Sequence, residues 1–365
     1  MATNPYSLWS TRKSLGVIRD RKREDFMFSG FTTNTHFSDS EWIDFSKLPI
    51  RSRDVAPFVK PKGRGRGITT DRMTGFRFKP ANVVLEDAVD MERGLSFEPG
   101  IDGSAFDGLQ LTPMQRRELI KADMLMQFDA AYDRRLEWMR AKALIDGAMT
   151  IVYEDGETFV LDFQRAAGHT EVLGAGDRYG DTDVSILDHW QTVFDTVNDA
   201  EFGGVVTKIV MGGSVAPVVR KDAEILAHLD TNISGGTVRV DRGLVGGAAY
   251  GGKVYKFGEL MVGGASGQRI ELWVNNETYT APNGTTTRYV GAKEVVFLSD
   301  PSAIQLHECF GRVEDVDAEF KAMRRFVKNY TEQNGRVTTE GLSLEGAPLV
   351  VPINPNATYK ATVLA

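Results

Sequence analysis

Cysteine is nearly absent, with Cys309 the only one in 365 residues. An intrachain disulfide and a multi-thiolate metal centre are therefore excluded, and a reducing cytoplasm suits such a chain. Long apolar runs are missing too. Nothing approaches the ~20 consecutive apolar residues that cross a bilayer as a helix. Met1 to Leu15 has no apolar centre of the signal-peptide kind, so secretion is not expected. Histidine is scarce: His36, His169, His189, His228 and His307 form no H-x-x-x-H pair of the zinc-binding type. His307 and Cys309, two residues apart on an expected strand, read as a core or edge pair and not as a nucleophile with its base. Met211-Gly212-Gly213-Ser214 falls between an expected strand and helix, where a phosphate could sit. It has neither G-x-G-x-x-G spacing nor a P-loop lysine. Asp177, Asp181 and Asp183 lack the closing glutamate of a calcium loop and read as solvated loop. No catalytic residue, cofactor site or metal ligand is assigned.

What the chain does have is uneven charge. Its hydrophobic and charged fractions, 42% and 25%, are those of a packed globular protein, which excludes disorder throughout. The net charge of -7 argues against nucleic acid as the main partner. From Lys47 to Lys79, however, ten basic residues (Lys47, Arg51, Arg53, Lys60, Lys62, Arg64, Arg66, Arg72, Arg77, Lys79) face only Asp54 and Asp71, leaving +8. From Glu86 to Asp107, seven acids (Glu86, Asp87, Asp90, Glu92, Glu98, Asp102, Asp107) face only Arg93, leaving -6. The run Gly63-Arg64-Gly65-Arg66-Gly67 could touch nucleic acid. An acidic segment of similar density in the same chain favours a protein contact instead. Such complementarity steers association and fixes register more than it adds affinity. The candidate contacts between copies are Lys60, Lys62, Arg64, Arg66, Arg72, Arg77 and Lys79 on one side, and Glu86, Asp87, Asp90 and Glu92 on the other.

The order of elements follows from periodicity. Residues 1–46 show no regular period but carry Trp9, Phe26, Phe28, Phe31, Phe37, Trp42 and Phe45, too many rings for a free tail. They read as an arm whose rings dock on another surface. Residues 47–82 read as a long two-stranded hairpin, with Arg77-Phe78-Lys79 alternating as a strand does. Thr112-Pro113-Met114-Gln115 is a capping box with proline at the first helical position. Ala122, Leu125, Phe128, Tyr132, Leu136, Met139 and Ala143 then form one apolar stripe, with Asp129, Asp133, Arg134, Glu137 and Arg140 mostly off it. Gly147 closes a helix over 113–146 of ~50 Å. Thr150 to Phe163 reads as a hairpin about Asp155-Gly156, and 164–183 as loop. Asp183 to Asn198 reads as a helix with Leu187, Trp190, Phe194 and Val197 on one face. Val205 to Met211 reads as a strand, and Ser214 as the cap of a helix reaching Leu229. Short strands, notably Arg269 to Val274 and Glu294 to Leu298, follow in a glycine-rich stretch, completing an α/β unit over 184–310. Arg336 to Ala365 alternates as returning strands.

The sequence of parts resembles the major capsid proteins of tailed phages, and the phage lambda major head protein family in particular. Three stretches carry the likeness. They are Phe58-Val59-Lys60-Pro61-Lys62; Cys309-Phe310-Gly311 with Glu314-Asp315-Val316-Asp317-Ala318; and Ala347-Pro348-Leu349, Asn354-Pro355-Asn356 and Val363-Leu364-Ala365. The resemblance implies an α+β, Hong Kong 97-type fold. Its parts would be an N-terminal arm (1–46), an extended loop (47–82), a peripheral domain with a spine helix (83–183), an axial domain (184–310) and a return to the peripheral domain (311–365). It implies no enzyme and no cofactor. It implies a shell subunit that assembles with itself into hexamers and pentamers around packaged DNA, in a virion built in the host cytoplasm. Portal and scaffolding proteins would be partners, with a decoration protein at three-fold positions a further one. A bacterial nanocompartment shell and a soluble enzyme are the other readings, told apart by co-purified cargo and by a deep pocket with convergent acids or histidines.

Overall fold

The computed structural model describes residues 10–20, 24–47, 74–88, 113–153, 155–225, 238–239, 248–249, 253–262, 268–334 and 337–365. The spine is a helix of 33 residues, Pro113–Ile145. Proline is its first residue, as its missing N–H allows. Thr112 lies outside the described residues. The helix ends at Gly147, whose φ of +65° is left-handed backbone that glycine adopts without a Cβ penalty. Arg165 completes that end by donating to the Ile145 carbonyl at 2.7 Å.

The described strands form six sheets. The largest is mixed and runs, by neighbour, Ala248–Ala249, Val254–Val262, Gln268–Asn275, Val206–Gly212, Glu294–Ser299, Thr358–Thr362 and Thr170–Val172, with Val238–Arg239 also paired to Val254–Val262. Its central strands are apolar on both faces, and Val206, Ile209, Val210, Met211, Val295, Val296, Phe297 and Leu298 are all buried. Helix Ile186–Asp199 covers one face, capped by Ser185, whose hydroxyl accepts from the Asp188 N–H. Its Ile186, Trp190, Val193 and Val197 are buried. Thr170–Val172 falls in a stretch that reads as loop from its glycines and aspartates. It is short, and its pairing with Thr358–Thr362 joins segments some 190 residues apart in register.

The helix expected from Ser214 to Leu229 is corrected over its described part; residues 226–229 lie outside the described residues. The segment Ala216–Lys221 is helical, with Val215 and not Ser214 at its cap. Asp222 breaks it by accepting from the N–H groups of Glu224 and Ile225. A short polar side chain that competes for backbone donors starts a new turn and stops the old one.

The smaller sheets carry the arm and the tail. Thr32–Phe37 runs parallel to Leu306–Phe310, which pairs antiparallel with Pro348–Pro352. Val83–Ala88 lies at the edge of a second three-stranded sheet, beside Val337–Gly346 and then Phe326–Asn334. Ile43–Lys47 and Thr74–Phe78 form an antiparallel ladder at the ends of the basic stretch. The surface on which the arm's rings are expected to dock is, where the structure describes them, that of their own chain. Phe26, Phe28, Phe31 and Phe45 are buried in their own chain, and helix Thr11–Asp20 packs on the spine. Burying such rings against the nearest apolar surface is favourable by ~2–3 kcal/mol each, and that surface is the same chain's spine and tail. Phe37 and Trp42 stay exposed. Among the described residues no helix is long and apolar enough to cross a membrane.

Candidate functional site: the buried charged seam and the contact face

The residues off the spine's apolar stripe do not all face water. Asp129, Asp133, Glu137, Arg140 and Lys121 are buried, where unpaired charge would be costly. Each meets an opposite charge, brought by another part of the chain for all but Glu137, whose partner Arg140 lies on the same helix. Arg325 pairs with Asp129 at 2.6 Å and with Asp133. Lys121 pairs with Glu340 at 2.6 Å, and Arg117 also reaches Glu340. Arg140 bridges Glu137 at 2.9 Å and Glu308 at 2.5 Å.

The last of these groups extends into the arm. Glu137 accepts from the Phe28 N–H at 2.7 Å, and Glu308 accepts from the Thr32 hydroxyl at 2.9 Å. Burial pushes the Glu137 carboxyl up, against the pull of Arg140 and the Phe28 N–H. The arm, the spine and the tail strands thus share one line of charge pairs. Asp129, Asp133 and Glu137 recur every four residues on one helix face, which is the signal in the sequence for such a line. The partners from elsewhere in the chain, Arg325 for the two aspartates, Glu308 for Arg140 and Glu340 for Lys121, are too distant to show in any local pattern.

A second polar chain secures the large sheet. Trp190 Nε1 donates to the Tyr179 hydroxyl at 2.9 Å, and that hydroxyl lies 2.7 Å from His189 Nδ1. Glu171 Oε2 lies 3.2 Å from His189 Nε2 and accepts from the Tyr359 hydroxyl at 2.7 Å. Since Tyr179 accepts from Trp190, its own proton is directed at His189 Nδ1, which places the imidazole proton on Nε2 facing Glu171. The residues join one loop, one helix and two strands. Cys309 is buried and its thiol is pushed up to about 12, so it is no nucleophile at neutral pH. Among the described residues no group of three or more His, Cys, Asp or Glu could hold a metal ion.

The candidate contact residues divide. Lys60, Lys62, Arg64, Arg66, Arg72, Asp90 and Glu92 lie outside the described residues. Arg77 is exposed, pairs with Asp44 at 3.0 Å and lies over the Trp42 ring at 5.6 Å. Lys79 is exposed and pairs with Glu41 at 3.0 Å. For these two cations, partners lie within the chain, across the ladder they help to form. Glu86 and Asp87 are exposed on the edge strand Val83–Ala88. A shallow hollow of about 190 Å³ lies beside Lys79, lined also by Glu41, Tyr153, Gly311 and Glu314.

A long spine helix, an arm laid along it, a ladder at the base of a basic loop and an α/β sheet unit with a returning tail define a Hong Kong 97-type shell subunit. The sequence matches the family described as phage major capsid protein E over residues 18–363, and the chain belongs to that family. A solved structure from *E. coli* CFT073, the putative capsid protein of a prophage, is similar to it at 16% identity and a TM-score of 0.70, covering 98% of this chain and 100% of that one. A phage-related protein from *Bordetella bronchiseptica* RB50 is similar at 12% identity and a TM-score of 0.49, with 96% of each chain covered. No curated protein sequence matches the chain. The protein is a structural one, a major capsid protein that assembles with itself into an icosahedral phage head.

Proposed function

We propose that the basic stretch between Lys47 and Thr74 joins copies within the shell. Lys60, Lys62, Arg64, Arg66 and Arg72 of one copy would meet Glu86, Asp87, Asp90 and Glu92 of the next. The supporting observation is that Glu86 and Asp87 lie exposed on an open sheet edge, at the start of the -6 segment. Arg77 and Lys79, engaged at the ladder's base, hold the stretch's root to its own body. Many such weak contacts, repeated over a closed lattice, give a stable shell without any one strong interface.

The wider setting is inferred from the family. Residues 1–46 act as the arm, 47–82 as the extended loop, 83–183 with 311–365 as the peripheral domain, and 184–310 as the axial domain. Copies gather into hexamers and pentamers with portal and scaffolding proteins in the host cytoplasm. The finished virion shell encloses double-stranded DNA without reading its sequence, and a decoration protein at three-fold positions is a further partner.

Negative-stain microscopy of the full chain, expressed with its scaffold, tests the reading. Closed particles are expected from the wild-type chain. R64E/R66E should give a folded chain, by circular dichroism, that no longer closes particles. Normal particles from that variant would overturn the loop's role.

A further inference from the structure

His36 and His307 stand 271 residues apart in the chain but meet across the parallel pairing of the arm strand Thr32–Phe37 with Leu306–Phe310. His36 Nε2 lies 3.2 Å from His307 Nδ1, and the ring centroids are 4.9 Å apart. Two nitrogens bound to one tetrahedral metal at about 2.0–2.1 Å stand about 3.3–3.4 Å apart, and two adjacent nitrogens of a square-planar site stand slightly closer. The observed separation falls between the two. The second ring nitrogen of His307, Nε2, lies 3.2 Å from the side-chain nitrogen Nδ2 of Asn34. Flipping that amide puts its oxygen in the same place, where it accepts from Nε2–H. A metal-bound imidazole is ordinarily held through its other nitrogen by such an acceptor, and the His307 Nδ1 lone pair then faces His36.

We propose that His36 and His307 form a two-histidine site for a divalent transition metal of the zinc, nickel or copper class, which clips the arm strand to the body. Asn34 orients His307. Water completes the coordination, because among the described residues no third histidine, cysteine or carboxylate joins the pair. Without metal, the two rings share a hydrogen bond. On binding, that hydrogen bond is given up, and the proton on His36 moves to its Nδ1 so that Nε2 can ligate. The site is a clamp and not a reaction centre, and it adds to the shell role without depending on it.

Calorimetric titration of the full chain with nickel and zinc chloride at neutral pH tests the site. One equivalent per chain is expected, with a higher Tm and slower amide exchange over Thr32–Phe37. H36Q and H307Q should each weaken binding by at least about tenfold and abolish both responses. His36 is exposed and His307 lies only partly buried beside it, and circular dichroism checks that both variants fold. N34A should weaken binding less than either. Absence of binding by the wild-type chain, or binding unchanged in H36Q or in H307Q, would overturn the proposal. None of these outcomes bears on whether particles form.

Discussion

Asp129 and Asp133 lie one turn apart on the spine and share Arg325, which comes from just before the strand Phe326–Asn334. Removing that guanidinium leaves two buried carboxylates without their cation. R325M should destabilise the subunit by about 3–5 kcal/mol in urea unfolding, with proportionate loss of soluble chain. Glu277 poses the opposite problem. Its Oε2 is buried with no hydrogen-bond partner among the described residues. Burial first, then Glu137 and Glu24, push its carboxyl up to about 7. A carboxyl raised in the folded chain holds its proton more tightly there than in the unfolded chain. The stability this supplies is complete below the ordinary glutamate range and is lost as pH rises toward 7. E277Q should therefore be the more stable chain at pH 8, by about 1 kcal/mol once solvent screening of this partly exposed group is allowed for. The difference should vanish or reverse near pH 4. Paired Tm measurements across that range check both the sign and the window.

At the scale of elements, the spine's C-terminus depends on a position that only glycine suits. A Cβ at Gly147 would stand 2.9 Å from both Cβ and Nε of Arg165, in backbone of φ +65°. G147A should cost about 1–2 kcal/mol from backbone strain, more if Arg165 is pushed off the Ile145 carbonyl, and chemical denaturation would measure it. This helix and its end were readable from periodicity, the proline start and the glycine stop, because a helix is built from contacts three and four residues apart. The helix Ile186–Asp199 was readable for the same reason. The strand Thr170–Val172 was not, since three residues carry no period of their own. Its place comes from pairing with Thr358–Thr362 and from the Glu171–Tyr359 hydrogen bond. Nor was the arm's destination legible. Its rings announced that it docks, while the surface that receives Phe28 and Phe31 is assembled from the spine and from distant strands.

For the whole molecule, the proposed contact between copies makes charge the property on which assembly would turn. A loop-to-neighbour contact made of exposed ions is screened as salt rises, with a Debye length near 10 Å at 0.1 M falling to about 3 Å at 1 M. Particle formation by the wild-type chain should slow markedly across that range while the subunit's far-ultraviolet circular dichroism stays unchanged. Its buried pairs, such as Arg140 with Glu137 and Glu308, are shielded from solvent ions. Light scattering during assembly at graded ionic strength follows the first effect. A salt-independent rate would show that apolar contacts, including those of exposed Phe37 and Trp42, carry the association instead.

Sequence alone determined that the chain folds, that a helix of more than thirty residues runs through it, that no thiol chemistry or local metal motif is written in it, and that opposite charges are segregated along it. The family resemblance supplied the shell. These are properties of composition and of spacing within a few residues, and such information survives without coordinates. Only tertiary structure decided that the arm lies in its own core, that the spine's carboxylates are buried against Arg325 and Arg140, and that His36 faces His307. Each of those results from segments hundreds of residues apart being packed together to bury apolar surface, and the polar groups carried along with them must then find partners where the packing leaves them.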